Sequence, residues 1–397
     1  MSADLLITFN PGSSSVKIGL FELDGAAPRR LASGVIDFRK APLSFRVTEG
    51  PAVFKVDLKA KASDDLTDVL AETFGWLAKH FDLGRVVAVG HRVVHGGDTF
   101  AGPVRIDSAS IKAIDALSAL APLHQPQCLR LIRAIEKLRS DVVQVASFDT
   151  SFHCTLADVV RRFAIPRSLH ESGIKRYGFH GLSYKYIAGE LARRAPSVAR
   201  GKVIIAHLGS GASLCAIEDG VSRDTSMGFS TLDGIPMATR CGALDPGVLL
   251  YLFGPLGRTL AEVEDTLYRQ SGLLGVSGIS ADSRELLMSD RPESREAIAL
   301  FTFRIAGEMG RLATTLGGVD ALVFTAGIGE HQPQIRAGIC DRLAWLGLEL
   351  DSSANEANSE TISTRSSRIA VYVIPTNEEQ VIADEAFSIL NERLPAP

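Results

Sequence analysis

The stretch Asn10-Pro11-Gly12-Ser13-Ser14-Ser15 lies between two short apolar runs rich in strand-forming residues, 5–9 and 16–21. This pattern predicts a strand, a tight polar turn and a second strand. It returns in the second half of the chain, where apolar runs at 203–208 and 214–217 flank the turn 209–213. A hairpin repeated at half the chain length predicts two related domains.

Both turns consist of small residues that can aim backbone N–H groups and hydroxyls at an anion. Small residues also satisfy the geometry of an ordinary turn, so either hairpin alone leaves both interpretations open. Lys17, directly after the first turn, favours phosphate. The chain has no GxxxxGK[ST] segment, and the pairs Gly209/Gly211 and Gly327/Gly329 lack the third glycine of a dinucleotide fingerprint. P-loop and Rossmann proteins are therefore disfavoured.

Length and composition restrict the class of protein. The chain has 397 residues, which is long for one core and predicts two domains. Its residues are 46% hydrophobic and 22% charged, and the net charge of −4 leaves no basic surplus for nucleic acid. The sequence lacks the positive and apolar regions of a secretory signal and any apolar run of the ~20 residues that a membrane span needs. We predict a soluble, cytoplasmic protein that binds neither nucleic acid nor membrane.

The cysteines are scattered singly along the chain and form no CxxC pair. They are Cys128, Cys154, Cys215, Cys241 and Cys340. This spacing predicts free thiols in a reducing compartment and argues against a zinc site.

Polar residues follow two apolar runs at positions where α/β sheets place ligands. Arg92 lies between valines just after the run 86–89, so it needs an anionic partner, either a bound carboxylate or phosphate or an internal acidic residue. Asp149 follows the run 142–148, where it can orient a metal-bound water or a substrate, or cap a helix. His91 and His95 are expected to be structural.

Two further loops contain residues that are weak indications when taken alone. His180 lies in the glycine-flanked loop Arg176-Tyr177-Gly178-Phe179-His180-Gly181, before a predicted helix at 184–194. A single histidine is usually a satisfied structural group. Arg240 lies in the loop 237–242, and a single arginine in such a loop is usually a surface charge.

The last part of the chain contains a glycine turn at 326–331, after the strand-like run 321–325 and before a helix predicted to begin near Gln334. This turn is a candidate for the nucleoside end of a site. A strand at 369–374 and a helix at 377–392 follow. Thr376 and Glu379 have the spacing of a capping box, which leaves Glu378 as the candidate for a metal-linked carboxylate.

Taken together, these residues resemble the acetate/propionate kinase family over almost the whole chain. The resemblance rests on segments that occur in the family's order: NPGSSSVK, GHRVVHGG, LAPLHQP, FDTSFH, RYGFHG, HLGSGAS, DTSMGF, ATRCGALDPG, FTAGIGEH and PTNEE. It implies reversible transfer of a phosphoryl group from ATP to acetate, giving acetyl phosphate and ADP, with Mg²⁺ or in its place Mn²⁺. It also implies a homodimer joined through the second domain.

The resemblance further implies the two-domain α/β fold of actin-like ATPases, which is related to ribonuclease H, with duplicated βββαβαβα cores and an active-site cleft between the domains. The expected N-terminal domain is 1–149 plus 380–397, since the last helix folds back onto the first domain. The expected C-terminal domain is 150–379 and carries most of the nucleotide site.

Site residues carry over from the family position by position. The metal is assigned to Asn10 and Glu378, and the catalytic residues are Arg92, Asp149, His180 and Arg240. The substrate contacts are assigned to Arg92, Val94, Leu123, Phe179 and Thr231. The nucleotide and phosphate contacts are assigned to Ser13, Ser15, Lys17, His207, Leu208, Gly209, Ser210, Gly211, Asp282, Ser283, Arg284, Gly327, Ile328, Gly329, Glu330 and His331.

This assignment agrees with the chemistry of phosphoryl transfer, which needs in-line positioning and neutralisation of charge on the equatorial oxygens. A carboxylate nucleophile is already ionised at neutral pH, so Asp149 is expected to orient groups and not to abstract a proton. The chain departs from the family at Thr231, where proline is usual, and at Ser210, where asparagine is usual. The first departure bears on acyl-chain preference and the second on phosphate contact.

Other functions are compatible with parts of the sequence. A propionate kinase shares every motif and differs in pocket size. A non-catalytic actin-like nucleotide-binding protein shares the paired hairpins but does not need Arg92, His180 and Arg240. A sugar kinase needs a polar pocket and an Asp base, which Val94, Leu123 and Phe179 do not suit. For the kinase, alanine at Arg92 or Arg240 is expected to abolish turnover and leave the fold intact.

Overall fold

The computed structural model of the chain describes residues 3–12, 15–61 and 66–392. Ser13, one of the residues predicted to bind phosphate, lies outside the described residues. The chain forms two compact units, Met1–Phe152 together with Asn377–Pro397, and His153–Thr376. The roles assigned to the two domains stay predictions.

The strands of the described residues are numbered in chain order. They are β1 (Asp4–Pro11), β2 (Ser15–Leu23), β3 (Arg29–Asp37), β4 (Ser44–Glu49), β5 (Ala52–Asp57), β6 (Val86–Val93), β7 (Val104–Arg105), β8 (Val143–Phe148), β9 (Lys202–Leu208), β10 (Ala212–Glu218), β11 (Val221–Thr225), β12 (Ala321–Thr325) and β13 (Ala370–Val373).

The α-helices of the described residues are numbered in the same way. They are α1 (Leu66–Leu77), α2 (Ser108–Ala116), α3 (Gln125–Leu138), α4 (Asp158–Arg161), α5 (Arg167–Glu171), α6 (Gly181–Arg194), α7 (Pro196–Ala199), α8 (Pro246–Phe253), α9 (Leu260–Arg269), α10 (Gly272–Ser277), α11 (Ser283–Met288), α12 (Pro292–Leu316), α13 (Ala326–His331), α14 (Pro333–Asp341), α15 (Ser352–Glu356) and α16 (Glu378–Asn391).

The sheet of the first unit is built around the opening hairpin. Its strand order is β5-β4-β3-β2-β1-β6-β8-β7. The strands β1 and β2 pair antiparallel with Asn10 opposite Lys17, as predicted for a hairpin. Next to β1, the strands β6 and β8 run parallel to it, which requires the helical crossovers that α1 and α3 provide.

The sheet of the second unit repeats this arrangement. Its order is β11-β10-β9-β12-β13, in which β9, β10 and β11 form an antiparallel meander and β12 and β13 run parallel to β9. The strands β9, β10, β11, β12 and β13 thus correspond to β1, β2, β3, β6 and β8. The hairpin repeat seen in the sequence is therefore a duplicated core, as predicted.

The parallel strands bring polar residues to their carboxyl ends. In the first unit, β6 contains Arg92 beside its last residue and β8 ends directly before Asp149. In the second unit, β12 ends directly before the glycine turn that begins at Ala326. Each unit therefore places its candidate residues at the edge where α/β sheets bind ligands.

Apolar packing covers both faces of the first sheet. One face packs with α1 and α3 in a core that includes Phe9, Phe45 and Ile135, each no more than 1% exposed. The opposite face packs against α16, through Ala383 and Ala386. Gly90 is needed here because a Cβ at this position would lie 2.6 Å from Cγ2 of Ile382.

Two local predictions near the C-terminus are wrong. Helix α16 is capped by Asn377, whose side chain accepts a hydrogen bond from the N–H of Gln380 at 3.2 Å, and not by a Thr376–Glu379 capping box. Asn377 can act as the cap because the short side chain of an asparagine reaches the N3 amide as well as that of a threonine does. The helix expected near Gln334 is present as α14, whereas the glycine turn predicted at 326–331 is itself a helix, α13, which begins at Ala326 with a φ of 64°.

The cysteines are free thiols, as predicted, and three of them are buried: Cys128, Cys215 and Cys340. Burial raises the pKa of Cys128 to about 11 and that of Cys215 to about 12. Within the described ranges, no helix combines the length and apolar character of a membrane span.

The lowered pKa of three buried histidines makes the stability of the fold depend on pH. Burial lowers the pKa of His91, His95 and His153 to about 4, although the hydrogen bond that Nε2 of His91 donates to Oε1 of Gln144 opposes this for His91. These histidines are neutral in the folded protein, whereas they titrate near pH 6.5 in the unfolded chain. Their contribution to the free energy of unfolding is therefore fully present above pH 6.5 and is lost as the pH falls towards 4. Each shift corresponds to about 3 kcal/mol.

We therefore expect the midpoint of urea unfolding to fall steadily between pH 6.5 and pH 4. The variant His91→Gln should show a shallower fall in a urea titration followed by circular dichroism. Asp37 and Asp141, whose hydrogen bonds to arginine lower their pKa to about 2, lose most of their contribution to stability below pH 4. An unchanged midpoint across this range would contradict the prediction.

Candidate active site

Arg92 and Asp149 form an ion pair at the carboxyl ends of β6 and β8. Nε of Arg92 donates to Oδ1 of Asp149 at 2.9 Å, and Nη2 donates to Oδ2 at 2.5 Å. The Arg92 side chain is 14% exposed and that of Asp149 is 1% exposed. Burial disfavours the charged guanidinium, but attraction to Asp149 and its hydrogen bonds outweigh burial and raise the pKa of Arg92. Arg92 is thus a permanently charged group with an internal acidic partner.

Asn10 connects this ion pair to the acidic residues at the start of α16. Its amide oxygen accepts from Nη1 of Arg92 at 3.2 Å, and the same nitrogen donates to the carbonyl of Pro11 at 3.0 Å. Since a guanidinium only donates, the amide oxygen of Asn10 must face Arg92. The amide nitrogen then donates to Glu378 at 2.7 Å and to Glu379 at 2.8 Å.

Glu379 was missed at the sequence level, where it was assigned only a capping role. Its carboxylate lies 3.6 Å from Nη2 of Arg30 and 3.9 Å from Nζ of Lys17, and its side chain is 13% exposed. It therefore links the residue predicted to hold phosphate, Lys17, to the metal candidates. The adjacent glutamates of PTNEE were the available signal, since consecutive residues in the first turn of a helix both point towards its N-terminal end.

A divalent metal fits the donors of the first unit. Glu378 is 8% exposed, and carboxylate and amide oxygens are the donors that Mg²⁺ prefers. Mg²⁺ is commonly held by one or two carboxylates together with substrate phosphates and water. In the part of the chain that the structure describes, no group of three or more His, Cys, Asp or Glu side chains has the arrangement of a metal centre.

In the second unit, His180 and Arg240 converge on the turn between β9 and β10. A backbone hydrogen bond from Gly209 to Gly211 at 3.1 Å closes this turn. A Cβ built on Gly211 would lie 3.3 Å from Nε2 of His180 and 3.8 Å from Nη2 of Arg240. The glycine therefore leaves room beside an imidazole and a guanidinium, and the sequence had linked these residues only through the family resemblance.

His180 precedes α6 in a left-handed conformation, with a φ of 58°. Its Nδ1 atom lies 2.8 Å from Oγ of Ser213. Its ring stacks on that of His207, with centroids 4.4 Å apart, and Nδ1 of His207 lies 2.8 Å from Oγ of Ser183. Two imidazoles predicted to act on phosphate are thus held by serine hydroxyls.

The loop that contains Arg240 is anchored by backbone hydrogen bonds. The carbonyls of Met237, Ala238 and Thr239 accept from the amides at the start of α10, at distances of 2.9, 3.0 and 3.0 Å. Nη1 of Arg240 donates to the carbonyl of Thr231 at 3.1 Å. Thr231, where the chain departs from the family, therefore touches the guanidinium through its backbone.

Glu330 connects the start of α13 to the segment between β13 and α16. Its Oε1 atom accepts from the amide of Ala326 at 2.8 Å and from that of Thr376 at 3.1 Å. Arg336, which is fully buried, donates to the carbonyls of Gly329 and Glu330 at 2.8 and 3.1 Å. These contacts fix the predicted nucleoside turn, whereas the His331 side chain is 73% exposed.

Asp282 and Arg284 interact with each other. Asp282 caps α11 through the amide of Arg284, and its carboxylate pairs with the guanidinium of the same residue at 2.5 Å. The Arg284 side chain is 74% exposed, and Ser283 between them is buried. Their predicted role at the nucleoside stays a prediction.

The residues predicted to contact the acyl group are buried or half-buried. Val94 is 2% exposed and Leu123 is half-buried in the first unit. Phe179 is 1% and Thr231 is 9% exposed in the second. The carbonyl of Phe179 accepts a hydrogen bond from Nε2 of His153 at 3.0 Å, which fixes its position next to His180.

Residues 5–384 match the family model described as the Acetokinase family. The acetate kinase of Rhodopseudomonas palustris is 47% identical over 386 residues, which are 96% of this chain and 97% of that protein. A solved propionate kinase from Francisella tularensis is 36% identical with a TM-score of 0.90, over 97% of this chain and 100% of that one.

The solved acetate kinase of Porphyromonas gingivalis is 34% identical with a TM-score of 0.85, over 98% of this chain and 100% of that one. These similarities confirm the predicted α/β fold with its actin-like duplicated core.

Proposed function

Because the chain belongs to the acetokinase family and is a kinase, we propose that it transfers the terminal phosphoryl group of ATP to acetate. The reaction is reversible and gives acetyl phosphate and ADP. The observation that carries the proposal is the approach of His180 and Arg240 to Gly211 in a turn of the phosphate-binding type. Donors fixed at such a turn are suited to the charge that develops on a phosphoryl group during transfer.

Arg92 is proposed to bind the carboxylate substrate. Nε and Nη2 of its guanidinium hold Asp149, and Nη1 faces Asn10 and Pro11, so the fork is fixed before a substrate arrives. Acetate is ionised at neutral pH and can attack phosphorus without a base. Asp149 therefore orients Arg92 and does not need to accept a proton.

Nucleotide contacts are proposed for the segments that the family resemblance indicated. In the first unit these are Ser13, Ser15 and Lys17. In the second unit they are residues 207–211, 282–284 and 327–331. The contacts of Glu330 with Ala326 and Thr376 support a structural role for its carboxylate within this set.

The metal is proposed to be Mg²⁺, with Mn²⁺ able to replace it, held by Glu378 and Asn10. When bound, it supplies positive charge that neutralises the phosphates. Asn10 donates to Glu378 and so orients the carboxylate that would meet the ion. Glu379 accepts a second hydrogen bond from the same amide nitrogen.

We expect Glu378→Gln to raise the Mg²⁺ concentration needed for half-maximal activity about tenfold or more, because a neutral amide binds a hard cation less strongly than a carboxylate. The measurement is initial rate against free Mg²⁺ at saturating ATP and acetate. Glu360→Gln is the control, since Glu360 is a half-exposed surface residue paired with Arg194. An unchanged Mg²⁺ requirement in Glu378→Gln would contradict the metal assignment.

A steady-state comparison of acetate, propionate and butyrate with Mg-ATP tests the proposed function. Acetate is expected to give the highest kcat/KM. A higher value for propionate would identify a propionate kinase with the same mechanism. One methylene group discriminates between two substrates by only about 1–3 kcal/mol, so the comparison has to be made by measurement. ATP binding without acyl phosphate formation would identify a non-catalytic nucleotide-binding protein instead.

A homodimer joined through the second unit is supported by α8, in which every apolar side chain is at least partly exposed. Leu250 is 73% exposed, Tyr251 is 56% exposed and, beyond the helix, Leu260 is 71% exposed. A helix that exposes several large apolar side chains is a candidate for an interface. The scattered free thiols support the proposed cytoplasmic location.

The double variant Leu250→Asp/Tyr251→Asp is expected to elute as a monomer of 42.5 kDa in light-scattering chromatography, and the wild type as a dimer. Burying two carboxylates in an apolar contact is unfavourable, so the interface should not form. Val159→Asp, at a residue that is 82% exposed elsewhere in the unit, should remain dimeric. A wild-type protein that is monomeric at micromolar concentration would refute the dimer.

A further inference from the structure

We propose that Ser213 and Tyr184 are positioning residues, which hold His180 as a neutral imidazole with its hydrogen on Nε2, pointing at the transferred phosphoryl group. This inference rests on the role given to His180 in the proposed function. It assigns to the two residues a part in the reaction that their sequence positions do not suggest.

A chain of hydrogen bonds connects the three side chains. Oη of Tyr184 lies 2.5 Å from Oγ of Ser213, which lies 2.8 Å from Nδ1 of His180. Tyr184 is one helical turn after His180 at the start of α6, and Ser213 projects from β10. Both Tyr184 and Ser213 are fully buried, so the contacts are shielded from water.

The chemistry of the three groups sets the direction of these bonds. The Ser213 hydroxyl carries one hydrogen and lies between two heteroatoms. A phenol is a stronger acid than an aliphatic hydroxyl, so Tyr184 is the donor to Oγ of Ser213. In the proposed arrangement the hydrogen of Ser213 is then directed to Nδ1 of His180, which accepts it. A neutral imidazole that accepts at Nδ1 carries its hydrogen on Nε2.

The same unit contains a serine–histidine pair in which this direction is fixed independently. Nε2 of His153 lies 3.0 Å from the carbonyl oxygen of Phe179, which can only accept. Burial lowers the pKa of His153 to about 4, so the ring is neutral at pH 7. Its Nδ1 atom, 2.9 Å from Oγ of Ser222, must therefore accept from that serine.

The fixed tautomer places a donor where the reaction needs one. Nε2 of His180 is the ring atom that faces Gly211, on the same side as Nη2 of Arg240. With the alternative tautomer, Nε2 would present a lone pair to the phosphoryl oxygens and would repel them. Ser213 and Tyr184 thus select the form of His180 that donates to an oxyanion.

The tautomer is tested without any activity measurement, by long-range ¹H–¹⁵N NMR of protein labelled with ¹⁵N-histidine. The His180 signals are assigned from their loss in His180→Gln. We expect the pattern of an Nε2–H tautomer in the wild type and averaged signals in Ser213→Ala. An Nδ1–H pattern in the wild type would overturn the proposal, whatever the substrate of the enzyme is.

A double-variant cycle tests whether Ser213 acts through His180. We expect Ser213→Ala to lower kcat about tenfold with less than about a twofold change in either KM, and Ser213→Thr, which keeps the hydroxyl, to restore most of the rate. In a His180→Ala background, Ser213→Ala should change kcat less than about twofold. Equal losses in both backgrounds would overturn the proposal.

Ser222→Ala is the matched control, because it removes a buried serine–histidine contact in the same sheet. It should leave kcat within about twofold of the wild type. A loss as large as that of Ser213→Ala would show a general packing effect and would overturn the specific role. Wild-type activity of His180→Ala would instead refute the role of His180 in the proposed function, while the NMR result still decides the tautomer.

Discussion

Replacing Arg92 by alanine should lower acetate-dependent formation of ADP by about 1000-fold or more and should also destabilise the fold. Activity falls because the substrate carboxylate loses its fixed positive partner. Stability falls because Asp149, which is 1% exposed, loses its ion pair with Arg92. Breaking one side of a buried pair costs about 3–5 kcal/mol. The sequence alone predicted an intact fold for this variant, and the ion pair changes that expectation.

The double variant Arg92→Ala/Asp149→Asn separates the two effects. It should recover most of the free energy of unfolding, measured by urea titration, because the buried carboxylate is gone. It should not recover activity, because the substrate still lacks a cation. Arg92→Lys retains the charge but not the two-pronged contact with Asp149, so we expect intermediate activity. A fully active double variant would contradict the role of Arg92 in binding the carboxylate.

Replacing Arg240 by alanine should lower kcat about 10³- to 10⁵-fold, the range known for arginines that neutralise a phosphoryl transition state. The guanidinium of Arg240 donates a hydrogen bond to the carbonyl of Thr231. The backbone of its loop is held by α10 and does not depend on the side chain. The free energy of unfolding should therefore change by less than about 1 kcal/mol.

Arg269→Ala, on the neighbouring helix α9, is the control for the loss of a positive charge. Its side chain is 62% exposed and paired with Asp265, and an exposed pair of this kind contributes little to stability. It should keep wild-type activity. Added guanidinium should restore part of the activity of Arg240→Ala and should not raise the activity of Arg269→Ala. Turnover of Arg240→Ala within tenfold of the wild type would contradict its assignment to the transferring phosphoryl group.

The sequence was sufficient for the features that depend on neighbouring residues. The two hairpins followed from the alternation of apolar runs with small turn residues, and the duplication followed from their repetition. Asp149 was placed correctly at the end of its strand, because an apolar run of that length indicates where a buried strand stops. The polar residues at carboxyl ends of strands were thereby recognisable as candidate site residues.

The errors arose where several local solutions are equally good. Thr376 and Asn377 are both competent helix caps, and the sequence could not select between them. Glu379 was given to that cap, whereas it contacts Lys17, Arg30 and Asn10 from distant parts of the chain. Ser213 and Tyr184 were missed for the same reason, since nothing local marks a serine or a tyrosine as a partner of a histidine.

The sequence by itself thus determined the strands, their duplication, the family and the types of residue available for phosphoryl transfer. These follow from short-range patterns, which each segment carries independently of the rest. Only the tertiary structure decided which polar side chains are paired: Arg92 with Asp149, Asn10 with two glutamates, and His180 with Ser213. Electrostatic and hydrogen-bond energies act within a few ångströms in space, and that proximity is created by packing between residues far apart in the chain.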